Sequence, residues 1–306
     1  MSKRHITALA ATLVLCPFAV QAESGFYGSL RIGLQYADAG GDADATASFR
    51  NWASRMGYSG STELENGMTG FGKLEFGVDT GSSANGNGAV STRLAYVGIR
   101  GDFGSLLLGQ AYHTWYNTII APVDQPWWGS CNGCLSYTGR SENGLTYSTS
   151  SGATSFSATV HMRDQNVDGE FEDDIDGYEI GVTYDTGSLK IGLGFQDWDN
   201  GNDGTLGVVV SGSTGDIGYA ANVTSQSASD GGEDAFGIDV FLSYANSYLD
   251  VGTVDRGEQS FGFTVGYTLS IGTDTSAWFE LGSFDSGIDG DSASFVGRAA
   301  LKYDWK

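Results

Sequence analysis

From residue 25 onward, apolar side chains return at every second position. Leu189, Ile191, Leu193 and Phe195 alternate with Lys190, Gly192, Gly194 and Gln196, and Phe261, Phe263, Val265, Tyr267 and Leu269 alternate with Gly262, Thr264, Gly266 and Thr268. A period of two puts successive side chains on opposite faces of a strand, so each segment has one greasy face and one polar face. Sixteen such segments begin near residues 25, 49, 68, 93, 104, 143, 153, 176, 188, 205, 216, 234, 247, 259, 273 and 293. Tight connections at Asp185 to Ser188, Ser213 to Asp216 and Ala245 to Ser247 alternate with long ones rich in Gly, Asp and Asn. A soluble sandwich would hide the apolar rows in a core, whereas a membrane barrel turns them to lipid. The other face is Gly, Ser, Thr, Asp and Lys, which suits a wet lumen better than a second packed surface. An even strand number with short turns at one rim and long loops at the other belongs to the barrel. Pro122 and Pro126 lie together in the connection from Ala111 to Ser141, and no later strand segment holds a proline. A hydrogen-bonded ladder in hydrocarbon needs that continuity, because an unpaired backbone group there costs several kcal/mol. The expected fold class is all-β, a 16-stranded antiparallel transmembrane β-barrel.

The first 22 residues, MSKRHITALAATLVLCPFAVQA, read as a secretory signal with cleavage after Ala22: a basic start at Lys3 and Arg4, an uncharged stretch, and a small residue at the end. A lipoprotein signal through Cys16 and an anchor helix are weaker alternatives, since Ile6 to Ala22 is interrupted by Pro17 and short for a span of about 20 residues. Residues 23–306 form the barrel domain. Without Lys3 and Arg4 the 15 bases fall to 13 against 37 acids, a net charge of about −24. Nucleic acid is thereby excluded as a partner, because duplex binding needs a basic face. The negative field favours cations. Cys131 and Cys134 sit in an exported, oxidising setting, and a local disulfide fits better than zinc, which a lone pair of ligands does not satisfy.

Two stretches, SRMGYSGSTELENG from Ser54 to Gly67 and RLAYVGIRGDFGSLLLGQ from Arg93 to Gln110, resemble the general trimeric porins of Gram-negative outer membranes. The resemblance implies passage of small hydrophilic solutes through a water-filled channel, a bacterial outer-membrane location, a homotrimer, and contact with lipid and lipopolysaccharide. It also implies that the connection after the fifth strand, about residues 111–141, folds inward as a constriction loop whose acids face arginines on the opposite wall. By motif position, Arg55 and Arg93 match wall arginines, and Arg140 in YTGRSENGLTY matches a third. On the strand pattern itself, Trp52, Ser54, Met56 and Tyr58 take the lipid side and leave Arg55 inward, and Arg31, Lys73 and Glu75 also point inward. The loop carries one carboxylate, Asp124, and is otherwise aromatic, with Tyr112, Trp115, Tyr116, Trp127 and Trp128. These aromatics either pin the loop or stack on sugar rings, and pinning is the favoured reading. The chain ends in Lys306, where the family has an aromatic.

The constriction set expected from these readings is Arg55, Arg93, Arg140, Asp124, Glu75, Lys73 and Arg31. The overall negative charge leans the expected channel towards cations. No cofactor is needed, although DQNVDGEFEDDID places Asp164, Asn166, Asp168, Glu170 and Asp174 at a spacing that imitates half of a calcium loop. A sugar-specific channel and a barrel adhesin are the alternative functions. A barrel hydrolase would need a nucleophile with a positioned base, and the mature chain offers only His113 and His161, so no enzyme activity is expected.

Overall fold

The computed structural model describes residues 24–41, 44–79, 90–127, 131–162, 175–198, 202–228, 233–285 and 293–306. The signal segment and the candidate calcium loop lie outside them, as does Trp128. Seventeen strand segments run in chain order: β1 (Gly25–Asp38), β2 (Thr46–Asn51), β3 (Arg55–Glu63), β4 (Thr69–Val78), β5 (Val90–Gly101), β6 (Gly104–Tyr112), β7 (Arg140–Ser151), β8 (Thr154–Met162) and β9 (Ile175–Asp185). The ring continues through β10 (Leu189–Trp198), β11 (Asn202–Thr214), β12 (Ile217–Gln226), β13 (Ala235–Tyr244), β14 (Ser247–Asp255), β15 (Gln259–Ser270), β16 (Thr275–Asp285) and β17 (Ser294–Trp305). β2 and β3 both pair with β1, one against each half of it, so together they make a single stave and the barrel has sixteen. Every pairing is antiparallel between chain neighbours, and β1 closes the ring on β17 from Gly28 opposite Trp305 to Asp38 opposite Phe295.

Burial is inverted relative to a soluble protein. Along β9, Tyr178, Ile180, Val182 and Tyr184 are exposed, while Glu179 and Thr183 between them are buried. β16 repeats this, with Phe279 and Leu281 outside and Glu280 inside. Apolar rows turned outward around a closed ladder satisfy hydrocarbon on one side and leave no backbone edge unpaired.

Two of the irregularities in the ladder alter the sequence reading. Between β2 and β3, Ala53 takes a left-handed conformation (φ 58°) and the strand bulges. Trp52 and Ser54 therefore lie inside, not on the lipid side: Trp52 is buried against Trp278 and Ala300, and Ser54 accepts the Arg31 backbone N–H at 2.9 Å. The second irregularity slips the β4–β5 register after Glu75, which pairs with Leu94 while Phe76 pairs with Thr92. Arg93 is the extra residue there, and this is why no period placed it. It is buried and inward-facing.

Leu193 projects outward from the middle of β10. Leu193→Arg should therefore cost about 2–4 kcal/mol of folding stability in a lipid bilayer, read as a lower urea midpoint in vesicles. An unchanged midpoint would show that this row does not meet hydrocarbon.

Candidate functional site

After β6 the chain turns into the barrel. Residues 113–127 and 131–138 lie against the inner wall, and β7 starts at Arg140, a little before the expected position. A short π-helical turn, Tyr116–Ile120, packs Trp115, Ile119 and Ile120 onto Val209 of β11 as a buried apolar cluster. The wall makes room for it with glycines: side chains at Gly181, Gly192, Gly194 and Gly207 would strike Thr114, Thr118, Ile119 or Trp115.

Buried carboxylates on the wall hold the loop by its backbone. Glu179 accepts the Trp115 N–H at 2.6 Å, Asp239 accepts the Gly133 N–H at 2.5 Å, and Glu280 accepts the Trp127 N–H at 2.7 Å. Asp250 accepts the Asn132 side-chain amide at 2.5 Å. These bonds fasten the loop at its root, its middle and its tip. At the tip, Cys131 and Cys134 form the expected disulfide around Asn132 and Gly133. A side chain at Gly133 would meet the backbone of Ile238, so only glycine lets the tip come this close.

The loop root also holds both histidines of the mature chain. His161 lies 3.0 Å from Glu179 through Nε2, its ring meets His113 edge-on at 4.9 Å, and it stacks on Trp198 at 4.3 Å. His113 Nδ1 faces the Thr146 hydroxyl at 2.7 Å. That hydroxyl continues through Thr159 to Thr114 and Ser157. Burial, and then the neighbouring His161, hold the His113 imidazole down to about 4.

Across the lumen the cations gather. Glu75 receives Arg93 Nε at 2.8 Å, the Tyr27 hydroxyl at 2.8 Å and Arg55 Nη1 at 3.8 Å. Lys73 lies over the Tyr27 ring. Arg31 donates to Ser29 at 3.0 Å and lies over Trp127, whose ring also meets Lys302 and stacks on Trp278. Arg140 donates to the Tyr112 hydroxyl at 2.8 Å. The Asp124 carboxylate accepts the hydroxyls of Tyr116 and Tyr137, each at 2.8 Å. Burial and then Asp124 raise both phenols above the ordinary tyrosine value. The structure thus brings Arg55, Arg93 and Glu75 into one cluster, with Lys73 two residues from Glu75 on β4, Arg31 on β1, and Arg140 and Asp124 against the loop's tyrosines.

The wall carboxylates Glu179, Asp239, Asp250 and Glu280 were not singled out from sequence. Their only signal is an acid in an otherwise Gly- and Thr-rich polar row. Two of the loop aromatics pack rather than line open space: Trp115 is fully buried and Trp127 is covered on its faces.

Comparison with known proteins decides the family. A profile described as Gram-negative porin matches residues 6–287. The chain belongs to that family. It is similar to outer membrane porin F of Xenorhabdus nematophila, 27% identical over 176 residues that cover 53% of this chain and 46% of that one. It is also similar to outer membrane protein U of Vibrio vulnificus, 27% identical over 207 residues covering 61% and 59%. The chain thus spans about half the length of the curated relatives it matches. Among solved structures, an anion-selective porin from Comamonas acidovorans superposes with a TM-score of 0.72 at 14% identity, covering 93% of this chain and 100% of that one. OmpF of Salmonella typhi superposes at 0.73 and 14%, covering 93% and 98%. The porin's location is the bacterial outer membrane, and membership in a family of channels rather than enzymes agrees with the expectation of no enzyme activity.

Glu179→Ala strips the Trp115 N–H and the His161 ring of their acceptor and should cost about 3 kcal/mol, read as a lower thermal unfolding temperature with noisier single-channel currents. Steady, wild-type-like traces would show that Glu179 does not hold the loop. His113 titrates lower in the fold than its ordinary value of 6.5, so the unfolded chain binds the proton first on acidification. The stability this imidazole contributes is complete above about pH 6.5 and declines as pH falls towards about 4. His113→Gln should flatten that decline in thermal unfolding temperature between pH 7 and pH 4, and an unaltered pH profile would remove His113 as its source.

Proposed function

We propose that this porin conducts small hydrophilic solutes and ions by passive diffusion through the lumen, past a waist narrowed by the inner loop. One observation carries the reading: a closed ring whose polar row faces inward, with guanidinium groups on one wall of the waist and the docked loop on the other. Opposed groups in a narrow, partly desolvated neck set which solutes pass.

The finer part of the proposal is a lean towards cations, supported by acids that crowd the ends of the barrel. Asp44, Asp79, Glu233, Asp234, Asp255 and Glu258 are exposed at the long-connection end, and Glu63, Asp102, Asp216 and Asp274 at the tight-turn end. The waist has the opposite sign. Exposed charges act over a Debye length, about 10 Å at 0.1 M salt and about 3 Å at 1 M, so the rims govern ion entry when salt is low.

A homotrimer is part of the same proposal. A shallow apolar concavity on the outer face of β3 to β6, around Gly60, Gly70, Gly72, Ala95 and Val97, offers low relief for a second copy. Lipopolysaccharide bridged to the outer acids by divalent ions, calcium among them, completes the proposed surroundings.

Purified protein in a planar bilayer should give stepwise currents, with reversal potentials favouring K⁺ at about 0.05 M KCl and losing that preference towards 1 M as the rims are screened. Absence of steps would end the channel reading. Anion preference at low salt would end the cation lean.

A further inference from the structure

The strands that carry Arg31, Arg55 and Arg93 are β1, β3 and β5, and a second concave feature lies on the other arc of the ring. A cavity of about 350 Å³ forms where the loop returns to the wall, bordered by Tyr137 and Thr138 of the loop, Gln196 and Trp198 of β10, Gln226 of β12 and Arg256 just beyond β14. Along their strands Trp198, Gln226 and Arg256 lie at the ends away from the tight turns at 185–188, 213–216 and 245–247. The cavity therefore sits towards the long-connection mouth, which in outer-membrane barrels is the external one.

Its two aromatic rings are held in place by the protein. Buried Gln196 donates its amide to the Ser136 carbonyl at 3.1 Å and accepts the Trp198 indole N–H at 3.1 Å. Trp198 also stacks on His161 at 4.3 Å, yet remains only half-buried. Tyr137 meets Tyr116 edge-on, gives its hydroxyl to Asp124 and is 50% exposed. The polar groups around these rings are unspent: among the described residues the Thr138 hydroxyl, the Gln226 amide and the Arg256 guanidinium have no hydrogen-bond partner. Fixed rings bordered by a few convergent polar groups, in a volume of about 300–1,000 Å³, are the usual build of a small-molecule site. An aromatic face is electron-rich and attracts C–H groups, while hydroxyl, amide and guanidinium offer donors and acceptors to a hydroxylated rim. Charge at the cavity is balanced. Arg256 follows Asp255 and stands two residues from Glu258, all three exposed, and Asp197 turns its carboxylate away to Tyr178 on the outer face. A solute with a C–H face, a rim of hydroxyls and no net charge is a pyranose sugar.

We infer that this cavity is a carbohydrate-binding subsite, in which a neutral pyranose ring lies against Trp198 and Tyr137 and its hydroxyls bond Thr138, Gln226 and Arg256. The sugar is held at the external mouth before it meets the waist. That consequence for transport rests on the channel reading, whereas the binding itself does not.

The experiment is calorimetric titration of the detergent-solubilised protein with cellotriose, and with sorbitol as a polyol lacking the ring, alongside single-channel recording with the same two solutes. Cellotriose should bind saturably with a dissociation constant in roughly the millimolar range and lower the step conductance with the same half-saturation, and sorbitol should do neither. Trp198→Ala and Gln226→Ala should each weaken cellotriose binding at least about fivefold. Lys190→Gln, which removes a cation near a tight turn, should change it less than about twofold. Steps in KCl without cellotriose binding refute the subsite and leave the channel standing. Saturable cellotriose binding without steps upholds the subsite and removes the channel reading. Sorbitol binding as tight as cellotriose, or undiminished cellotriose binding in the Gln226 variant, would also overturn the proposal. Should Trp198→Ala not fold, Gln226→Ala and the comparison of the two solutes on unaltered protein still decide.

Discussion

Every backbone N–H and C=O that enters hydrocarbon must find a partner within the protein, and this requirement shapes the whole porin. It demands a closed ladder, which β1 and β17 complete. It keeps proline out of the strands and forces side chains to alternate between two solvents. The strands then have no face left for an ordinary core. Their outer row meets lipid and their inner row is polar.

The inner loop supplies the packing that the barrel lacks. Its apolar turn at Trp115, Ile119 and Ile120 fills a recess made by wall glycines, and its backbone is tied to Glu179, Asp239 and Glu280. Glu179, Asp239 and Glu280 are thus spent on holding the loop, while Glu75 is left to gather Arg55 and Arg93. One structural need thereby sets the electrostatics of the waist.

Period two made the sixteen strands and the tight turns legible, because it follows directly from which solvent each residue meets. The same rule failed at Trp52 and Ser54, where the left-handed Ala53 inserts a bulge, and gave no parity for Arg93, which a register slip carries inside. Such irregularities are backbone events that a side-chain pattern does not encode. The clustering of Arg55 and Arg93 on Glu75 joins residues from three strands, and only the register reveals it. Docking of the loop by Glu179 and Asp239 was hidden for the same reason: each bond spans scores of residues.

The central claim is that alternate residues face hydrocarbon and water. Spin labels placed singly at successive positions from 29 to 36 of β1 in lipid vesicles test it directly, through collision rates with dissolved oxygen and with a water-soluble nickel complex. With Gly33 left unlabelled, since a side chain there would strike the Ala299 carbonyl, the account predicts oxygen maxima at Leu30, Ile32, Leu34 and Tyr36 and nickel maxima at Ser29, Arg31 and Gln35. Collision rates for the two reagents that rise and fall together along the strand would contradict it.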